Sequence, residues 1–151
     1  MQKKTEIIEN FKTAIKSTIK SISNKEDIEI NFSGNDVVSD NKTLRLPEIN
    51  DHQNLKNFNQ TRAQADSESL KLRYSNYKIF KNFEPEGKKA KRLYKIAEKI
   101  RYESIGTQEY KGIKNNLINY YFNQKSVDNK QDKIYTEFEN YLRNEFFLGK
   151  K

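Results

Sequence analysis

The sequence predicts a mainly α protein: a multi-helix domain with a short two-stranded antiparallel β-ribbon. Two observations carry this expectation. Apolar residues recur at helical steps over most of the chain, and between residues 28 and 46 the period falls to two. Eighteen aromatic residues, nine Phe and nine Tyr, supply a core that the 34% apolar content would not otherwise suggest.

The first helix is expected over Lys4 to Ile22, where Ile7, Ile8, Phe11, Ile15, Ile19 and Ile22 share one side with lysines between them. "DIEINF" then alternates strictly, with Ile28, Ile30 and Phe32 facing one way. "SGND" supplies turn residues, and "TLRLPE" returns the chain through Leu44 and Leu46 until Pro47 stops it. The expected ribbon spans 28–46 and must lean on helices, since two strands alone are marginal.

A second helix follows over about 51–76, with Leu55, Phe58, Arg62, Ala65, Ser69 and Leu72 on its stripe. Pro85 and Gly87 in "NFEPEG" break the pattern. The next helix is expected over 88–105, with Gly106 as its C-cap glycine. Another covers 109–122 through Tyr110, Ile113, Leu117 and Tyr121. "NQKSVDNKQD" is polar and loop-like, and a last helix over 131–147 uses Ile134, Phe138, Tyr141 and Leu142. At 151 residues a single domain over 1–151 is the default.

The charge is uneven. The net charge is +8, and residues 71–101 carry eleven Lys and Arg against three Glu, while the remainder is balanced. Lys88, Lys89, Lys91, Arg92, Lys95 and Lys99 crowd one helix, with Lys71, Arg73, Lys78 and Lys81 close by in sequence. Such a patch attracts an anionic partner, whether acidic protein, nucleic acid or lipid, or is a solvated face. The helix also repels itself at four-residue spacing, which suggests compensation by an anionic partner.

Two arginines fall on apolar stripes. Arg62 lies between Phe58 and Ala65. Arg101 lies between Leu93, Ile96, Ala97 and Ile100 on one side and Tyr94 and Ile105 on the other. An unpaired buried charge is costly, so each needs a carboxylate or must reach water along its aliphatic stem. Asp66 and Glu98 are local candidates; Glu98, Glu103 and Asp66 are candidates across helices. The expectation is a polar seam of Arg62, Asp66, Glu98, Arg101 and Glu103, with at least one pairing between helices.

Several chemistries are absent from the sequence. It has no cysteine, hence no disulfide and no thiolate metal site, which fits a reducing cytosol. No phosphate loop or dinucleotide fingerprint is present. His52 is the single histidine, beside Asp51 at a helix entry, and reads as a cap neighbour. "DSES" at 66–69 departs from an Asp-x-Ser-x-Ser metal motif at Glu68. The amino terminus lacks a signal-peptide run, and no segment is apolar enough for a membrane span. A cytoplasmic protein without catalytic, cofactor or metal residues of its own is expected, acting in binding or assembly.

"IEINFSG", "TLRLPEI", "TRAQADSESLKL", "EPEGKKAKRLYKIAEKIRYESIG" and "YKGIKNNL" follow one another across residues 28–120. In that order they resemble the N-terminal region of the CobT subunit of aerobic cobaltochelatase. The most specific pieces are Arg-x-x-x-Asp-Ser at 62–67 and Glu-x-x-Arg-x-Glu-x-x-Gly at 98–106. The resemblance implies a part in ATP-driven insertion of Co(II) into hydrogenobyrinic acid a,c-diamide during cobalamin biosynthesis. It implies a CobS-type AAA+ ATPase and a CobN-type large subunit as partners, with self-assembly in a ring a further option. ATP, Mg and Co would then be used by the complex and not bound by this chain. The family continues into an acidic linker and a von Willebrand A domain; this chain stops at Lys151 and is expected to be a truncated form. Where the family commonly has a His-Asp pair and a later His, this chain has Ser75, Asn76 and Phe80, and Tyr110 replaces a usual Met. Any metal or acid–base role of those histidines does not carry over. The other reading is a small basic nucleic-acid-binding or adaptor protein. Against it, the aromatics sit on apolar stripes and no recognition motif is present.

Overall fold

A computed structural model describes residues 2–49, 55–122 and 132–147. The chain divides into two compact units, Met1–Arg73 and Tyr74–Lys151. The mainly helical class holds: the described residues form six helices and one small sheet.

In the first unit, α1 spans Gln2–Ser23 and α2 spans Leu55–Tyr74, ending at the unit boundary. Between them lie β1 (Glu29–Phe32), β2 (Val38–Ser39) and β3 (Thr43–Leu46). Asn24 closes α1 with φ 56°, a left-handed conformation that Asn tolerates, and the Lys25 amide donates back to the Lys20 carbonyl. The expected helix start at Asp51, and His52, lie outside the described residues.

The sheet corrects the expected ribbon. It is three-stranded and mixed, in the order β1-β3-β2. β1 runs parallel to β3, with Ile30 opposite Leu44 and Phe32 opposite Leu46. β2 is antiparallel to β3, with Ser39 opposite Leu44. "SGND" therefore does not fold β1 back on β3. It carries the chain to the far edge, with Gly34 at φ 70° allowing the bend. The tight turn comes later, at Asp40. Its Oδ1 accepts from the amides of Lys42 and Thr43, both at 2.7 Å, and Oδ2 accepts from the Thr43 hydroxyl. These bonds hold the Asp40 carboxyl below its usual range, the Lys42 amide contributing most.

The buried face is the expected one. Ile28, Ile30, Leu44 and Leu46 join Ile15 and Ile19 of α1 and Ala65 of α2, with Phe11, Phe32, Val37 and Leu72 packed around them. Phe11 meets Phe58 edge to face at 4.7 Å. Alternation puts these side chains on one face, and two helices cover it. Thr61, Ala65 and Ser69 recur along one side of α2 and Ala63 and Ser67 along the opposite side; all five are buried, so the helix is covered on both sides. The Arg73 guanidinium donates through Nη1 to the Ile22 carbonyl and ties the end of α2 to α1.

The second unit holds α3 (Tyr77–Asn82), α4 (Lys88–Glu109), α5 (Lys111–Phe122) and α6 (Lys133–Phe147), with α4 packed against both α5 and α6. The sequence pattern did not signal α3, which is short and buries none of its residues. Asn76 caps it, accepting from the amides of Lys78 and Ile79. Gly87, at φ 87°, precedes α4 as expected of the break there.

Gly106 is not the helix cap. It lies inside α4, buried, and its carbonyl accepts the Tyr110 amide. A C′ glycine needs the left-handed conformation, which Gly106 does not adopt. With Ser104 and Thr107 it gives the last turns of α4 a narrow, buried profile. The helix ends four residues later, at Tyr110 in extended backbone (φ −121°, ψ 98°). The core of this unit contains Ile100, Tyr102, Ile113, Leu117 and Phe147.

Candidate interaction surface and polar network

The expected seam resolves into separate pairings. Arg62 Nε donates to Asp66 Oδ1 at 3.3 Å on the same helix, with Asp66 almost fully buried. Arg101 pairs with Glu98, also on its own helix, through Nε at 2.7 Å and Nη2 at 2.9 Å. Its Nη2 also donates to the Tyr74 carbonyl at 2.7 Å. The Arg101 side chain keeps 46% of its surface exposed. Its stem crosses the apolar arc while its head reaches water and a carboxylate.

Among the described residues, an ion pair between helices brings in Arg143, an arginine outside the expected set. Glu103, fully buried in α4, accepts from Arg143 Nη1 of α6 at 2.6 Å. The other oxygen of Glu103 accepts from the Tyr121 hydroxyl of α5 at 2.7 Å. Arg143 also donates through Nη2 and Nε to Glu139, one turn back on α6, and its guanidinium lies 3.3 Å from the centre of the Tyr121 ring. Three helices thus meet at one guanidinium. Burial, and next the Glu103 charge, push the Tyr121 hydroxyl well above the usual tyrosine range. Burial, the largest single influence, would lower Arg143, but Glu103, Tyr121 and Glu139 together outweigh it and raise the guanidinium. Arg143 and Glu103 satisfy each other in a buried setting while Glu139 stays a third exposed, so the arrangement fixes helix register.

Arg143 escapes the sequence pattern because Ile134, Phe138, Tyr141 and Leu142 orient α6; of these Phe138 and Leu142 are half-buried and the other two face out. Those two are 61% and 63% exposed, and the buried edge runs through Arg143 and Phe147. The signal was present in Glu139, Arg143 and Phe147 at four-residue steps.

The basic face also divides. Arg92 is engaged within the unit: Nη1 donates to Asp132 at 2.6 Å and the guanidinium stacks 3.9 Å from the Tyr135 ring centre. Lys91 lies 3.8 Å from Glu84, and Lys99 sits over the Tyr121 ring at 5.5 Å. Lys88, Lys89 and Lys95 are exposed, and among the described residues no ion pair takes them up. In the first unit Lys71 joins Ser39 and Glu68 in a cluster that ties β2 to α2. The "DSES" carboxylates are therefore directed to different partners, Asp66 to Arg62 and Glu68 to Ser39 and Lys71. Among the described residues no group of three or more His, Cys, Asp and Glu is placed to hold a metal ion. No helix among them is long and apolar enough to cross a membrane.

Two expected results follow from Arg101 and Glu98. Arg101→Met should lower stability by ~1 kcal/mol or less in urea titration, because an exposed pair contributes little. A loss above about 2 kcal/mol would show that the pair is shielded from water. Burial raises the Glu98 carboxyl, but hydrogen bonds from Arg101 and Ser75 outweigh it and hold it below its ordinary value. A depressed carboxylate gives stability that is full above its unfolded value, about pH 4.3, and is lost as pH falls through the folded one. Glu98→Gln should therefore flatten the acid limb of the stability profile below about pH 4.3. An unchanged acid limb would rule this contribution out.

No solved structure matches the chain. A family model described as cobalamin biosynthesis protein CobT matches residues 5–145, nearly the full length, and the chain belongs to that CobT family of cobalamin biosynthesis proteins.

Proposed function

We propose that this chain is a non-catalytic assembly part of an ATP-dependent cobaltochelatase, the complex that inserts Co(II) into hydrogenobyrinic acid a,c-diamide. Co(II) is then substrate, held by a CobN-type large subunit, and ATP with Mg belongs to a CobS-type AAA+ ATPase. The observation that carries the assembly reading is the exposed trio Lys88, Lys89 and Lys95. It lies in a unit whose buried carboxylate, Glu103, is committed to Arg143 and Tyr121. Charge is free for a partner and chemistry is not. The partner is an acidic protein surface of the CobT or CobS subunits.

The test is co-purification of the full chain with a CobS-type ATPase, wild type against Lys88→Gln/Lys89→Gln/Lys95→Gln. Wild type is expected to be retained at about 150 mM salt, where non-specific DNA binding is only ~10⁻⁴–10⁻⁶ M, and the triple variant to be lost. Random duplex DNA should not displace the ATPase. Retention of the triple variant, or nanomolar sequence-selective nucleic-acid binding, would overturn the reading.

A further inference from the structure

We infer that α3 supplies apolar anchors beside this basic face, so that the docking site takes an acidic segment with apolar side chains set four residues apart. The inference rests on the acidic-partner reading above and deepens it. α3 buries none of its residues, yet three large apolar side chains stand out around it: Tyr77 at 66% exposure, Ile79 at 58% and Phe83 at 74%. Exposed apolar groups clustered inside a polar rim mark interaction sites. Ile79 and Phe83 are separated by four residues, and the Phe83 amide donates to the Ile79 carbonyl, so the two share one side of the turn.

The segment is held in place. The Phe80 ring stacks on Tyr94 of α4 at 4.7 Å, and the Tyr94 hydroxyl donates to the Phe80 carbonyl at 3.1 Å. Glu84, next to Phe83, pairs with Lys81 at 3.0 Å and lies 3.8 Å from Lys91. This sets the apolar pair beside the first turns of α4, where Lys88, Lys89 and Lys95 are exposed and form no ion pair among the described residues. A helix this short needs no exposed Ile and Phe for its own stability, and its fixed position keeps the ordering cost of binding low.

The occupant follows from both halves. The lysine rim selects carboxylates by charge. The anchors select apolar side chains at matching spacing, as an amphipathic acidic helix presents them. A nucleic-acid strand meets the charge requirement and could stack bases on Tyr77 and Phe83, but Ile79 has no ring face, whereas apolar side chains of a helix can engage all three.

The test uses the full chain and two labelled synthetic peptides of Glu and Asp, followed by fluorescence anisotropy. One carries Leu and Phe four residues apart, and the other has Ser at those places. The apolar peptide is expected to bind about tenfold more tightly. Ile79→Ser/Phe83→Ser should abolish that difference and leave affinity for the Ser peptide unchanged, which also shows that the variant is folded. Equal affinity of wild type for both peptides would overturn this inference and leave the acidic-partner reading standing. A preference that survives in the Ile79→Ser/Phe83→Ser variant would also overturn it. Failure of wild type to bind either peptide would overturn both.

Discussion

Arg143→Met is expected to lower the unfolding free energy of the second unit by about 3–5 kcal/mol, because it leaves the Glu103 carboxylate buried without its cation. The Tyr121 hydroxyl cannot replace the guanidinium, since it supplies one neutral hydrogen bond where Arg143 supplied a charge. A double variant, Arg143→Met with Glu103→Leu, should regain much of the loss, because two apolar side chains of similar volume leave no stranded charge. The measurement is a urea titration of the single variants, the double variant and wild type, read as a double-mutant cycle. Additive losses for Arg143 and Glu103 would mean that the two side chains act independently, against the geometry. By comparison, the exposed Arg101 pair is expected to cost a fraction of this.

The second large effect belongs to the sheet. Leu44→Ala is expected to cost about 2–5 kcal/mol, since Leu44 is fully buried in the central strand and its removal leaves a cavity between sheet and helices. Val38→Ala, on the edge strand with 49% of Val38 exposed, should stay within about 0.5 kcal/mol of wild type. Similar losses at the two positions would contradict β3 as the middle strand.

The contrast between these sites shows what the sequence made legible. Helix positions and the identity of the buried sheet residues follow from spacing, because a side chain's face is set by its place in the local repeat. Ile28, Ile30, Leu44 and Leu46 are buried for that reason. Strand order does not follow from spacing. Val38–Ser39 is too short to show a period, so the strand separating two obvious ones from a simple hairpin was invisible. The same limit explains the charged network. Periodicity flagged Arg101 as anomalous, but a long side chain can leave an apolar arc by its own flexibility. Arg143 looked ordinary because most apolar residues of α6 lie on other sides of the helix, and only tertiary packing selects which side is buried. Gly106 misled in a third way. Glycine marks either a left-handed cap or a close approach, and composition does not tell which. Of the basic face, spacing grouped six cations, of which Arg92 is paired with Asp132 and Lys91 lies near Glu84, while the exposed Ile79 and Phe83 belong to a segment too short to register.

The placement of β3 also bears on how the chain is made. β3 lies between two strands that both precede it, so the sheet cannot grow outward in the order of synthesis. Glu29–Phe32 leaves the ribosome first and has no neighbour until Thr43–Leu46 arrives. The turn at Asp40 closes the shortest loop, so β2 and β3 should join first and offer β1 a finished edge. A nascent chain halted after Phe32 but before Leu46 would expose Ile28 and Ile30 on an unpaired strand. That interval of synthesis is where pausing should most increase chaperone capture or aggregation.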